Sequence, residues 1–278
     1  MLSIRGSSTT TYEACPRLWA AQKILEEGDS YQISAQKLAR PLLHVGAVVG
    51  RGLHAGAAYL MKEFERSGAK SIKRKKEAID VARESVVKDY DGGVRPDAVT
   101  PTSRDAMLSS ASLVDRLDRD FDPKDQMTII EAGLRMVIDV DDGSQVMVTG
   151  TVDHYVVLDT LTDFKTGKAK PAPIAQIGTY SLLTRHAGYT PKSLQMLYGR
   201  RVRMDAWQPP YQRTWYDRIE AERHALSIIF DAARAWYRWL ITRDPREFKA
   251  NPTCRLCSEA YCPAYNSDFC KIGKQAHG

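Results

Sequence analysis

Two short runs concentrate groups able to act on a phosphate: Gly150-Thr-Val-Asp153 and Leu161-Thr-Asp163-Phe-Lys165-Thr-Gly167. Both have strand-forming character. Side chains alternate along a strand, so Asp163 and Lys165 point the same way and Phe164 points to the other face, toward a core. Asp153 arrives from the neighbouring run. Two carboxylates and an ammonium converging on one spot are unfavourable unless a metal ion or a phosphate sits there. A divalent cation neutralises the acids and polarises a phosphate, and the lysine can hold or activate an attacking water. A solvated β-hairpin also carries aspartate and lysine, so the motif takes its meaning from the rest of the chain.

Five cysteines form the second cluster of reactive groups. Cys254, Cys257, Cys262 and Cys270 fall within the last 25 residues, and Cys15 sits near the start. Disulfides are rare in cytosolic proteins, where clustered cysteines read as metal ligands. In Cys254-Arg-Leu-Cys257-Ser-Glu-Ala-Tyr-Cys262-Pro, the C-x2-C pair lets two sulfurs grip one centre from a single turn. Thiolates select zinc or an iron–sulfur cluster. A zinc site could be built locally from Cys254, Cys257, Cys262 and Cys270. A cluster could instead recruit Cys15 and pin the two ends of the chain together.

The elements that must position these groups follow from periodicity. Ser8–Leu25 reads as a capped helix, with Pro16 marking a helix start just after Cys15. Residues 41–65 form an apolar helix carrying His54, studded with glycines that permit close approach of another backbone. Residues 72–92 and 104–120 read as amphipathic helices. From Met127 the period changes to strands: Thr128–Ile138, a turn at Asp141–Ser144, then Gln145–Leu158 and Leu161–Lys165. A helix runs from Pro171 to His186, a strand over Ser193–Met204, and a long helix over Arg218–Leu240.

Composition bounds the class. The 278 residues are 43% hydrophobic, enough for a sizeable core and unlike a disordered chain. No apolar run can span a bilayer, and the first residues lack an apolar signal core, so a cytoplasmic protein without membrane partners is expected. The net charge of +6 suits a polyanionic partner. Lys70–Lys76 reads as a solvated face. The absence of a G-x4-G-K-[ST] loop excludes a nucleotide-driven helicase.

The order of helix with histidine, antiparallel strands with two acids and a lysine, helix, strand resembles the PD-(D/E)XK nucleases. Within them the chain is similar to the RecB-like branch, and most of all to the CRISPR-associated protein four family and related phage exonucleases with a four-cysteine iron–sulfur cluster. The matching stretches are Ser7–Trp19 around Cys15, Gly50-Arg-Gly-Leu-His54, Gly150–His154, Thr162–Lys168, Gln176-Ile-Gly-Thr-Tyr180 and Cys254–Pro263. The resemblance implies an α/β fold, a mixed central sheet flanked by helices, with a cluster region joining the ends. Residues 1–40 would be an N-terminal helical segment, 41–205 the nuclease core with a helical insertion near 66–125, and 206–278 the helix and cysteine-rich region.

By the same resemblance, His54, Asp153, Asp163 and the Phe164 backbone oxygen hold one or two Mg2+ or Mn2+ ions. Lys165 positions water, and Gln176 and Tyr180, four apart on one helix face, could support Lys165 or touch the strand. Cys15, Cys254, Cys257 and Cys262 hold a [4Fe-4S] cluster, with zinc the alternative. Cys270 has no clear place in that pattern. Glu131, on the adjacent strand, is a weaker candidate for the metal shell and is expected to face solvent instead. Arg201 and Arg203, placed together by strand alternation, would contact DNA. Tyr12, Trp19, Trp207, Tyr211 and Trp215 are base-stacking candidates or core. The implied activity is exonucleolytic cleavage of single-stranded DNA or DNA ends in phage or bacterial recombination, repair or CRISPR adaptation. The alternatives are a structure-specific endonuclease and a non-catalytic DNA-binding module.

Overall fold

A computed structural model describes residues 1–27, 38, 40–121, 127–140 and 143–271. Asp141 and Asp142 of the predicted turn, and residues 28–37 of the predicted N-terminal segment, lie outside that set. The described residues build a mixed α/β fold around a six-stranded sheet in the order β1-β5-β6-β7-β8, with β4 on the other flank of β5. The strands are β1 (Leu2–Arg5), β4 (Thr128–Asp139), β5 (Gln145–Val156), β6 (Thr160–Gly167), β7 (Ser193–Arg200) and β8 (Gln212–Tyr216). A separate two-residue pair joins β2 (Leu43–His44) to β3 (Val94–Arg95). Sequence periodicity anticipated β4 to β7 but neither β1 nor β8. Both are short, and β8 is an exposed edge strand with weak apolar alternation.

The predicted N-terminal helix is two helices. Between α1 (Thr9–Ala14) and α2 (Pro16–Glu27), Cys15 is extended, with φ −162° and ψ 103°. Proline disfavours helical geometry in the residue before it and suits the first helical position. The break therefore presents Cys15 at a corner. The strand predicted over Ser193–Met204 ends at Arg200.

Helices cover both faces of the sheet. On one side α3 (Val45–Ser67), α4 (Ile72–Tyr90) and α5 (Ser103–Asp120) pack together with Phe164 and Leu197. On the other, α2, α6 (Ile174–His186) and α7 (Arg218–Thr242) enclose the larger core, where Trp19, Trp236, Trp239 and Phe248 meet. Tyr12 and Trp19 belong to that core, so they are not available to stack bases. Among the described residues, no helix is long and apolar enough to cross a membrane.

Two helix crossings depend on missing side chains. A Cβ at Gly56 of α3 would lie 2.6 Å from Val114 and 2.9 Å from the Ala78 carbonyl oxygen. A Cβ at Gly178 of α6 would run into the backbone of Ala221 in α7. Alanine is the better helix former by about 1 kcal/mol, but overpacking against rigid backbone costs about 1–3 kcal/mol. Gly178→Ala is therefore expected to lower the unfolding free energy in urea titrations, against the propensity scale. An unchanged or higher midpoint would show that α7 yields freely.

Candidate active site

The site forms where β5 changes partners. Its first half pairs in parallel with β1 through Val146–Thr149, while its far end pairs with β6 only at His154 and Tyr155. Beyond that point β6 diverges and the Phe164 amide leaves the β5 ladder. Asp153 fills the vacancy: its Oδ2 accepts from Phe164 N at 2.7 Å. Divergence of the two strands thus opens a notch, and the carboxylate satisfies the amide exposed there.

Across the β4–β5 hairpin, Ile130 pairs with His154 and Ala132 with Val152, which sets Glu131 opposite Asp153. Glu131 has φ 49°, outside the strand region. Alternation slips by one residue here in both strands. Leu134, Met136, Val148 and Val152 face the α6 side, whereas Ile130 and His154 face the α3 side. The twist aims both carboxylates at the incoming helix α3. His54 arrives on α3, with Nδ1 3.1 Å from Asp153 Oδ1 and 3.9 Å from Glu131 Oε1. One ligand atom from each of His54, Glu131 and Asp153 lies within 4.8 Å of the others. Glu131, expected to face solvent, therefore joins the cluster. The available signal was its register, counted back along the hairpin from the turn.

Asp163 occupies the neighbouring position on β6 and is 1% exposed. Its Oδ1 accepts from Lys165 Nζ at 2.9 Å and from Gln176 Nε2 at 3.3 Å. Gln176 also donates to the Tyr180 hydroxyl at 2.9 Å. Of the two expected roles for the α6 pair, the contact with the strand is the one formed, at Asp163. Asp163 Oδ2 is buried without a hydrogen-bond partner among the described residues.

Electrostatics separates the two aspartates. Burial raises both, but the His54 charge and hydrogen bond, with Lys165 and the Phe164 amide, hold Asp153 below the usual carboxylate range. For Asp163, burial outweighs the attraction of Lys165 and, helped by the Asp153 charge, lifts it to about 6. Burial opposes charge on His54, yet Asp153 and Glu131 override it and raise the group to about 10. Two carboxylates and one imidazole, from Glu131, Asp153 and His54, lie close enough to share an ion, and Asp163 stands beside them with one buried oxygen left over. Oxygen-rich ligation of this kind suits a hard divalent cation such as Mg2+ or Mn2+.

The cysteines converge at the far side of the larger core. Cys15, Cys257, Cys262 and Cys270 line one small pocket with Leu18 and Leu256. Cys254 does not line it, although its carbonyl accepts from Cys257 N at 2.8 Å. Burial pushes the Cys262 thiol up to about 12. Asn251 ties the loop to the first corner, donating from Nδ2 to Ala14 O at 2.9 Å and from its amide to Cys15 Sγ at 3.4 Å.

One of the two predicted DNA contacts, Arg201, is corrected. Arg201 is 3% exposed and forms a two-pronged pair with Asp97 at 2.6 and 3.1 Å, with a further bond to the Thr100 hydroxyl. Asp97 also meets Lys168 at 3.1 Å, and its carboxyl lies well below the usual range: burial pushes it up, but these cations prevail. Arg203 is exposed and pairs with Asp205. Because β7 has ended, strand alternation does not place the two arginines together. Of the stacking candidates only Trp207 and Trp215 are exposed; Tyr211 is half-buried, donating to Leu113 O.

A family model described as the PD-(D/E)XK nuclease superfamily matches residues 6–266. The chain belongs to that superfamily and is a nuclease by family. None of the curated proteins matches it in sequence. Among solved structures it is similar to a putative exonuclease from Eubacterium rectale, with 10% identity over 72% of this chain and 73% of that one, at a TM-score of 0.39. It is also similar to an alkaline exonuclease from Laribacter hongkongensis, with 14% identity over 72% of this chain and 96% of that one, at a TM-score of 0.30.

Two outcomes follow from this geometry. Glu131→Gln should weaken Mn2+ binding at least about tenfold, the loss seen even for groups beyond the ligands themselves; an unchanged calorimetric affinity would remove Glu131 from the set. Arg201→Ala should destabilise the fold by about 1–3 kcal/mol, because half-buried Asp97 loses its main partner and keeps Lys168 and His44. Arg203→Ala should leave the unfolding midpoint where it was.

Proposed function

We propose that this chain is a Mg2+- or Mn2+-dependent exonuclease acting on single-stranded DNA or DNA ends. The observation that carries the reading is the meeting of His54, Glu131 and Asp153 beside the Asp163–Lys165 pair, where the short β5–β6 ladder ends. A divalent ion bound there would supply Lewis-acid polarisation of the phosphate and a water of lowered pKa. Asp153, Asp163, His54 and Glu131 would hold it, with the Phe164 carbonyl a further candidate. Lys165, anchored by Asp163, would donate to the attacking water and offset charge growing on the phosphate oxygens. Gln176 would fix the rotamer of Asp163, and Tyr180 that of Gln176. The net positive charge favours approach of a polyanion. The preference for ends rests on the motif resemblance.

The cysteine pocket is read as a [4Fe-4S] site held by Cys15, Cys257, Cys262 and a fourth thiol, Cys254 or Cys270. The iron–sulfur reading rests on the motif resemblance, with a tetrahedral zinc the alternative.

End-labelled single-stranded DNA with Mn2+ tests the activity. Asp163→Asn and Lys165→Ala should each slow cleavage at least about 100-fold, and circular single-stranded DNA should survive. Equal cutting by wild type and both variants would remove the site. A cut circle would make the protein an endonuclease. Anaerobically purified protein should contain iron and sulfide, lost in Cys257→Ser. Zinc without iron would overturn the cluster, and Cys254→Ser beside Cys270→Ser would identify the fourth ligand.

A further inference from the structure

Behind the catalytic strands, on the α3 face of the sheet, four side chains form a straight transverse row. His154 pairs with Thr162, Thr162 with Gln195, and Gln195 with Trp215, each directly opposite the next across β5, β6, β7 and β8. They line a cleft of about 260 Å³ together with Phe121 and Arg213, whose guanidinium reaches the chain beside Phe121. The row is graded from inside to outside. His154, Thr162 and Gln195 are buried, His154 to 1% exposure, whereas Trp215 is 57% exposed.

Polar groups at this depth normally bond to something. Yet neither ring nitrogen of His154 has a hydrogen-bond partner among the described residues. Its ring is held edge-on by Phe121, with centroids 5.3 Å apart and planes at 89°. The orientation is therefore set by packing, and the hydrogen-bonding capacity is left for whatever enters the cleft. A neutral imidazole offers one donor and one acceptor, a carboxamide offers both, and a hydroxyl offers both. A flat ligand with alternating donors and acceptors on its edge matches that set. The exposed indole adds a stacking surface. Arg213, exposed and steadied by one bond to Asp120 O at 3.1 Å, adds a cation to the lining.

We propose that this cleft binds a nucleotide, with the base against the His154–Thr162–Gln195 row, Trp215 stacked on it, and the phosphate at Arg213. The site lies on the opposite face from Asp163 and shares none of its side chains. It nonetheless shares its strands, since His154 follows Asp153 and Thr162 precedes Asp163. The nucleotide could reach it free in solution or as one residue of a DNA strand, and the experiment separates these sources.

Tryptophan fluorescence is titrated in EDTA with deoxyribonucleoside monophosphates, with the matching nucleosides, and with a five-residue oligodeoxynucleotide. EDTA keeps the result separate from cleavage, so an inactive nuclease would leave this test intact. Saturable quenching by the monophosphate is expected, weakened tenfold or more in Trp215→Ala and Gln195→Met, with the gap between nucleotide and nucleoside abolished in Arg213→Ala. Quenching by the oligodeoxynucleotide alone, with the same sensitivity to Gln195→Met, assigns the site to a strand. Trp215 and Arg213 are exposed, so their variants keep the test decisive if Gln195→Met fails to fold. No saturable binding of any of these compounds, or binding indifferent to Trp215→Ala, overturns the proposal and leaves a water-filled cleft.

Discussion

Asp153 and Asp163 are two carboxylates buried side by side, and much of the surrounding architecture answers the problem they pose. Removing such groups from water is strongly unfavourable unless each negative charge meets donors or cations. The chain meets this requirement with partners from each neighbouring element. Helix α3 brings His54, the splayed strand β6 brings an unpaired amide and Lys165, and helix α6 brings Gln176. The compensation is unequal. Asp153 is held ionised while Asp163 is pushed toward neutrality, and one Asp163 oxygen remains without a partner. That residual deficit is what makes the pocket receptive to a cation and not a finished ion-pair network.

The requirement propagates into packing. His54 reaches Asp153 only because α3 lies close on its sheet face, and α3 is held in its three-helix layer by crossings with no room for a Cβ at Gly52 or Gly56. On the other face Gly150 admits Tyr180, whose ring would lie 2.8 Å from a Cβ there. Tyr180 in turn bonds Gln176. Glycines in the sequence thus act as spacing elements for the charged cluster, although none of them touches it.

How much of this was legible depended on range. The Asp163–Lys165 pair and the core-facing Phe164 follow from strand alternation within three residues. The helices follow from apolar period, and the corner at Cys15 follows from Pro16. Features set by distant partners stayed hidden. Arg201 looked like a surface cation because Asp97, 104 positions away, gives no local sign of being its partner. Glu131 reads from sequence only as a weaker metal candidate, because nothing local shows the positive φ at that position. Strands β1 and β8 escaped notice because short edge or flanking strands draw their stability from a neighbour's ladder rather than from their own pattern. Cys270 was spaced unlike the other thiols, yet the fold returns it to their pocket.

The pairing of Glu131 with Asp153 depends on two hairpin arms, Glu131–Asp139 and Gln145–Asp153, that are equal in length. Changes in the number of residues at the tip would leave the two acids opposed. One residue gained or lost within a single arm would slide a neighbour into the acid's place and turn the acid to the other face. Genetic insertions and deletions therefore meet sharply different tolerance over a few positions: permissive at the loop, prohibitive in the arms unless both change together.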